Sequence, residues 1–187
     1  MIKGQRYVSL PTWKAEELII RHHYLHRSCH ILWAFGIEVE GEIRGVLTIG
    51  KPCSDTACRG VCGKERAKDV FELNRLWLHD SLPPNSESQF VGFILRKLRQ
   101  TNPSLILLSY ADSLKAHVGF VYQATNWIYT GQTIRWKDKV AAGEFERTAK
   151  HRYVWLANAD DRQLMKWKPL PYPKTPATFS ITNDHSS

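Results

Sequence analysis

The chain of 187 residues has no apolar run near the ~18–20 residues that a membrane-spanning helix needs, which excludes that class of protein. Its opening Met1-Ile2-Lys3-Gly4 carries no signal-peptide stretch, so a cytoplasmic protein is expected. There is no internal repeat, no Gly-rich P-loop, no H-E-x-x-H and no G-x-S-x-G, which removes the commonest nucleotide, zinc-protease and hydrolase signatures. Cysteine is scarce: four in a reducing compartment read as free thiols or metal ligands, not as a disulfide framework. Acidic residues are also in short supply, 18 against 26 Lys+Arg, and the net charge of +8 favours a polyanionic partner. What the chain does have is a 43% hydrophobic content with 11% aromatics, enough for a sizeable core and incompatible with disorder.

Hydrophobic periodicity organises residues 1–158 as one domain, followed by a Pro- and Lys-containing extension over 159–187. Thr12 is placed to cap a helix over 13–21 with Glu16 and Glu17 in its first turn. Residues 31–38 and 43–49 read as a hairpin turning at Glu40-Gly41-Glu42, and 51–68 as a long polar loop. A strand over 70–78 alternates Phe71, Leu73, Arg75 and Trp77 on one face with Glu72, Asn74, Leu76 and Leu78 on the other. A helix over 87–99, a continuous apolar strand over 104–110, a helix over 114–124 and strands over 127–132 and 152–157 complete the domain. Beyond it, 170–173 should be extended and 179–187 frayed. This order predicts an α/β fold, a mixed sheet with helices on both faces, and is the element order of the GNAT acyltransferase fold. Fold analogy alone assigns no function.

Several polar residues stand where chemistry or structure would use them. Asp112, at the carboxyl end of the apolar strand in Tyr110-Ala111-Asp112-Ser113, is either a general base or the N-cap of the next helix. Arg75, mid-strand among apolar neighbours, needs either a carboxylate on an adjacent strand or an anionic ligand. Ser88 either caps its helix or offers donors to an oxyanion, and Tyr122 is either core or an acid reaching the strand ends. His22, His26 and His30 would stack on one face of a continued helix, as metal ligands or as the lining of a phosphate-binding mouth. Cys53, Cys58 and Cys62, with four and three residues between them, match no common zinc spacing, and Cys29 is the one further thiol. The turn that would cradle an acyl-CoA pyrophosphate runs Pro83-Pro84-Asn85-Ser86-Glu87-Ser88-Gln89-Phe90 and has no glycine before Gly92. Its prolines lack N–H donors and Glu87 repels phosphate, which argues against a standard CoA cradle.

Five short segments in this order resemble the Mom family of bacteriophage DNA-modification proteins. They are His23-Tyr24-Leu25-His26-Arg27, Glu72-Leu73-Asn74-Arg75-Leu76-Trp77, Pro84-Asn85-Ser86-Glu87-Ser88, Ser109-Tyr110-Ala111-Asp112, and His117-Val118-Gly119 with Tyr122-Gln123-Ala124-Thr125-Asn126-Trp127. The resemblance spans roughly 20–130 and implies a GNAT-like fold and an enzyme of the phage-infected host's cytoplasm. The implied activity transfers a carbamoylmethyl group to the exocyclic amine of adenine in double-stranded DNA and so shields it from restriction. It implies catalytic roles for Arg75, Ser88, Asp112 and Tyr122, substrate contacts from His23, Tyr24, Ser109, Tyr110, Asn126 and Trp127, and an iron linked to the His23-Tyr24 pair.

Elementary chemistry fits those roles. The adenine amine is a weak nucleophile, so Asp112 would take its proton as the bond forms, while Arg75 and Ser88 face the developing oxyanion. Tyr122 would protonate the leaving group, and Tyr24 or Trp127 would stack on an adenine flipped out of the duplex. A carbamoylmethyl group has the atoms of a glycyl unit, so a glycine-derived donor such as glycyl-tRNA accounts for the group better than acyl-CoA. Two rival readings are an acyl-CoA-dependent GNAT acetyltransferase of proteins or small molecules and a DNA-binding module without catalysis.

Overall fold

The structure, a computed structural model, describes residues 4–112, 118–134, 136–140, 143–147 and 149–174. Seven strands form one mixed sheet in the order β1-β2-β3-β4-β5-β9-β6: β1 (Gln5–Ser9), β2 (Trp33–Val39), β3 (Glu42–Gly50), β4 (Val70–Leu78), β5 (Ile106–Asp112), β9 (Lys150–Leu156) and β6 (Ile128–Gln132). Only β4 and β5 run parallel; the other neighbours are antiparallel. A separate hairpin pairs β7 (Trp136–Val140) with β8 (Gly143–Arg147). Strand β1 and this hairpin go beyond the elements read from the sequence, each strand being only five residues long.

Helices cover both faces of the sheet. Alternation along β5 sends Leu107 to one face and Ile106 and Leu108 to the other, and all three are fully buried. On the first face α3 (Ser86–Thr101) lays down Phe90, Val91, Ile94, Leu95 and Leu98, joined by Tyr122 of α4 (Phe120–Ala124). On the second, α1 (Thr12–His22) buries Ala15, Leu18 and Ile19, and α2 (Asp55–Cys62) buries Cys58, Val61 and Cys62. This is the mixed α/β architecture expected from the order of elements.

Local differences have local causes. Thr12 is the first helical residue and not the cap: the residue before it, Pro11, makes no side-chain cap bond, and its carbonyl accepts Lys14 and Ala15 N–H, both at 3.1 Å. Glu17 sits beyond the first turn and pairs with Lys14 and Arg21. The hairpin turns through Glu40 and Gly41, both with positive φ, 52° and 85°, the geometry that matches strand twist. The segment expected as a loop over 51–68 contains α2, whose Ser54 cap accepts the Ala57 N–H. Two of α2's three buried residues are cysteines, a weak periodic signal. Of the helix expected over 114–124, residues 120–124 form α4, and 114–117 lie outside the described residues, as do Ser113 and 179–187.

The chain after β9 packs back on the sheet. Asp161 accepts two bonds from Arg66, at 2.6 and 2.8 Å, and Trp167 receives the Arg152 guanidinium 3.5 Å from its ring centre. The Leu170 N–H donates to the Tyr129 carbonyl and the Tyr172 hydroxyl to the Trp127 carbonyl.

Candidate active site

The site exists because β4 and β5 part company. They pair over three positions only, Val70 with Ile106, Phe71 with Leu107 and Glu72 with Leu108. One residue later the register between β3 and β4 slips: Ile49 faces Leu73 and Thr48 faces Arg75, leaving Asn74 as the extra residue of a β-bulge. The bulge overturns the expected facing of β4. Phe71 and Leu73 pack towards α3, yet so do Leu76 and Leu78, while Trp77 packs with the α1 cluster. A cleft of about 500 Å³ opens between the diverging strands.

The bulge is pinned in place. The Asn74 Nδ2 donates to the His30 carbonyl at 2.9 Å, and its Oδ1 accepts from the Thr48 hydroxyl at 2.6 Å and the Cys29 thiol at 3.5 Å. Gly50 completes this contact, since a Cβ there would stand 1.7 Å from the His30 carbonyl oxygen. The segment after α1 is thereby tied to β3 and β4, which sets His23 and Tyr24 at the cleft.

Alternation then sorts the lining by chemistry. On the α1/α2 face lie Glu72, Arg75, Tyr110 and Asp112, with Lys150 opposite Asp112 in the register of β9. Arg75 makes no ion pair among the described residues: its guanidinium donates to the Asn74 carbonyl at 2.7 Å and the Ser28 carbonyl at 3.5 Å, and its Nε is buried without a partner. Burial pushes the Glu72 carboxyl up to about 7, against the opposing pull of Lys150 and Arg75. Burial also pushes the Tyr110 phenol up to about 12, with Glu72 adding to it. His23 is brought down to about 4 by burial, then by Arg75 and His26, so its ring is neutral at pH 7; its Nδ1 accepts the Leu25 N–H. Tyr24, 49% exposed, stands at the mouth, and its phenol is raised by burial and then by Asp112.

On the α3 face the lining is mostly apolar, with Ser109 and Tyr122 below and Ser88 at the rim. The Ser109 hydroxyl lies 2.8 Å from the Leu73 carbonyl and 2.7 Å from the Tyr122 hydroxyl. Ser109 has one proton, which the carbonyl can only accept, so the Tyr122 hydroxyl donates to Ser109. Burial pushes Tyr122 up to about 12, keeping it protonated at neutral pH. Tyr122 is aimed by Gly119, whose φ of 75° suits glycine and whose Cβ would meet the Tyr153 ring at 2.6 Å. The Ser88 hydroxyl donates to the Asn85 carbonyl at 3.0 Å.

This architecture has counterparts among solved structures. An acetyltransferase of the GNAT family from Streptococcus pneumoniae, 9% identical, superposes with a TM-score of 0.54 over 81% of this chain and 98% of that one. The ribosomal-protein-S5-alanine acetyltransferase from Vibrio fischeri, also 9% identical, gives 0.56 over 90% and 98%. The fold is therefore that of GNAT acetyltransferases. The model of the Mom protein family matches residues 6–146, which contain every element of the cleft except β9. The chain belongs to the Mom protein family. A relative named methylcarbamoylase mom, from Escherichia phage Mu, is 32% identical over 131 residues, 69% of this chain and 54% of that protein. The chain thus spans about half the length of this curated relative.

Of the residues the sequence singled out, His23, Tyr24, Arg75, Ser88, Ser109, Tyr110, Asp112 and Tyr122 line one cleft. Asn126 and Trp127 do not line it. Trp127 is 1% exposed, edge-on to Tyr122 in the core, so it offers no face to a base. Asn126 turns the chain at a φ of 61° and faces a second concavity. Asp112 is the last residue of β5 and the N-cap of α4 is Gly119; the start of the helix that Asp112 was expected to cap falls in 113–117, outside the described residues. Ser88 is not the cap of α3, which is Asn85.

The histidine stack also fails, because the helix ends at His22. His22 stacks on Trp77, His26 contacts the Ile20 carbonyl and His30 accepts the Lys51 N–H. Among the described residues no three His, Cys, Asp or Glu side chains converge, so neither the histidines nor the Cys53, Cys58 and Cys62 segment makes a metal centre. For the iron that the resemblance implied, the described residues offer His23, Tyr24 and Asp112 at the same cleft, and no step is routed through it. Glu72 and Lys150 were missed as site residues. Glu72 had a signal, an acid on a strand otherwise rich in apolar residues; Lys150 comes from a distant strand and had none.

Proposed function

We propose that the chain is a transferase that moves a glycine-derived group onto the exocyclic amine of adenine in double-stranded DNA, protecting the DNA from restriction. Family membership with a relative named as a methylcarbamoylase supports the reaction class. The observation that carries it at the level of residues is Arg75, a guanidinium lining the cleft with backbone carbonyls for partners and a buried Nε without one. Such a group stabilises negative charge that develops in the cleft. Asp112 and Tyr24 stand on the same face, where a flipped adenine stacks on Tyr24 and presents its amine to Asp112.

The transfer then balances. The amine nitrogen attacks the donor's ester carbonyl and loses its proton to Asp112; Arg75 faces the resulting oxyanion. As the C–O bond breaks, Tyr122 supplies a proton to the departing alkoxide. This gives a glycyl amide, isomeric with a carbamoylmethyl group, and fragment masses separate the two. The donor enters from the α3 side, past Ser88. Glycyl-tRNA suits that route better than acyl-CoA, because Asn85 in a left-handed turn, two prolines and Glu87 stand where a pyrophosphate cradle would be.

The test is mass spectrometry of nucleosides from plasmid DNA of bacteria expressing the protein. A deoxyadenosine species heavier by one glycyl unit, absent with Asp112→Asn, is expected. Unmodified deoxyadenosine from folded wild-type protein overturns the reading, and acetylated product in its place favours the acyl-CoA alternative.

A further inference from the structure

A second concavity of about 390 Å³ lies beside the first, between α3 and the turn after α4, and shares Ser88 and Ala124 with it. Three arginines line it: Arg96 and Arg99 on consecutive turns of α3, and Arg162 from the chain beyond β9. All three are exposed, and among the described residues none makes an ion pair. Arg99 lies over the Trp155 ring at 5.3 Å from its centre, which holds its guanidinium at the wall. Asn126, absent from the first cleft, adds a neutral polar group here. Unpaired guanidiniums converging on one groove form a site for phosphates.

We propose that this groove binds the backbone phosphates of the RNA that carries the donor group. The inference rests on the glycine-derived donor proposed above and names where its carrier sits. Two features point to a strand rather than a small nucleotide. The charges are spread along the groove on two turns of helix and a separate segment, as successive phosphates of a chain require. The N-terminus of α3, where a pyrophosphate would otherwise sit, carries Glu87 and follows two prolines. The groove meets the cleft on its α3 side, at Ser88, whereas Tyr24, Arg75 and Asp112 stand on the other face of the sheet. A carrier seated here leaves the opposite mouth to DNA.

The experiment measures fluorescence anisotropy of a labelled, uncharged acceptor-stem RNA hairpin, a labelled DNA duplex and coenzyme A competition, with wild type and R96Q/R99Q/R162Q. Hairpin binding is expected to weaken at least about tenfold in the variant, with the salt dependence of log K shallower by about 2, roughly 0.7 per lost contact. Duplex binding should stay within about twofold, and K97Q on the same helix should change neither. R96Q/R162Q keeps Trp155 covered and should show the same direction if the triple variant is poorly folded. Unchanged hairpin binding overturns the proposal, as does a parallel loss for duplex, which marks a general basic surface. Coenzyme A binding that is lost in the variant while the hairpin is unaffected also overturns it, in favour of a free nucleotide. If wild type leaves deoxyadenosine unmodified but the hairpin arm behaves as expected, the transfer reading fails and the groove stands.

Discussion

The two halves of the β4/β5 pair are built from the same strands and do opposite jobs. In the first half, Val70–Glu72 against Ile106–Leu108, the chains are hydrogen-bonded, and Val70, Ile106, Leu107 and Leu108 are fully buried. In the second, past Asn74, the strands diverge and the space between them collects Arg75, Ser109, Tyr110 and Asp112. Burial in the closed half supplies the rigidity that lets the open half keep polar groups poorly satisfied, such as the Arg75 Nε. Glu72 sits on the boundary, paired as a strand residue yet lining the cleft.

Four substitutions separate the halves. The largest effect belongs to Gly50→Ala, which drives a Cβ into the His30 carbonyl at 1.7 Å and unseats the bulge. A loss of at least about 4 kcal/mol in chemical denaturation is expected, with activity lost alongside. Arg75→Ala should instead cost about 10²–10³-fold in rate with little change in unfolding free energy. A large drop in stability would mean that Arg75 belongs structurally to the closed half.

Glu72→Gln tests the boundary. Its carboxyl is raised from 4.5 to about 7 in the folded protein, so between those values the native state keeps a proton that the unfolded chain has lost. Wild-type stability therefore falls as pH rises from about 4.5 to 7 through this group, by roughly 3 kcal/mol, and the contribution is constant above that. The glutamine variant should lack this fall and be the more stable protein at pH 8; equal denaturation midpoints across the range would refute the assignment. The smallest effect is expected from Trp127→Phe, because the indole N–H is buried without a partner. Stability should change by less than about 1.5 kcal/mol, with duplex affinity unaltered. A loss of duplex affinity would return Trp127 to the substrate.

Much of this was legible in the sequence, for identifiable reasons. The bounds of β4 follow from an alternating run, and the central place of β5 from its unbroken apolar stretch. The facing of β4 beyond Asn74 was not legible, since the bulge depends on contacts with Thr48 and His30 distant in sequence. The alternative of a carboxylate partner for Arg75 was equally open until the neighbouring strands were known. Trp127 shares a motif with Tyr122, and only packing shows that one reaches the cleft while the other lies beneath it.

The segment 168–172 has a consequence for solubility. Strand β6 ends the sheet, and an uncovered terminal strand templates pairing with another chain. Here the Leu170 N–H occupies the Tyr129 carbonyl, and the Tyr172 hydroxyl occupies the Trp127 carbonyl just before β6. Removing this strap would bare that edge in a protein whose neighbouring strands are apolar, and self-association, more than loss of fold, is the hazard that the strap averts.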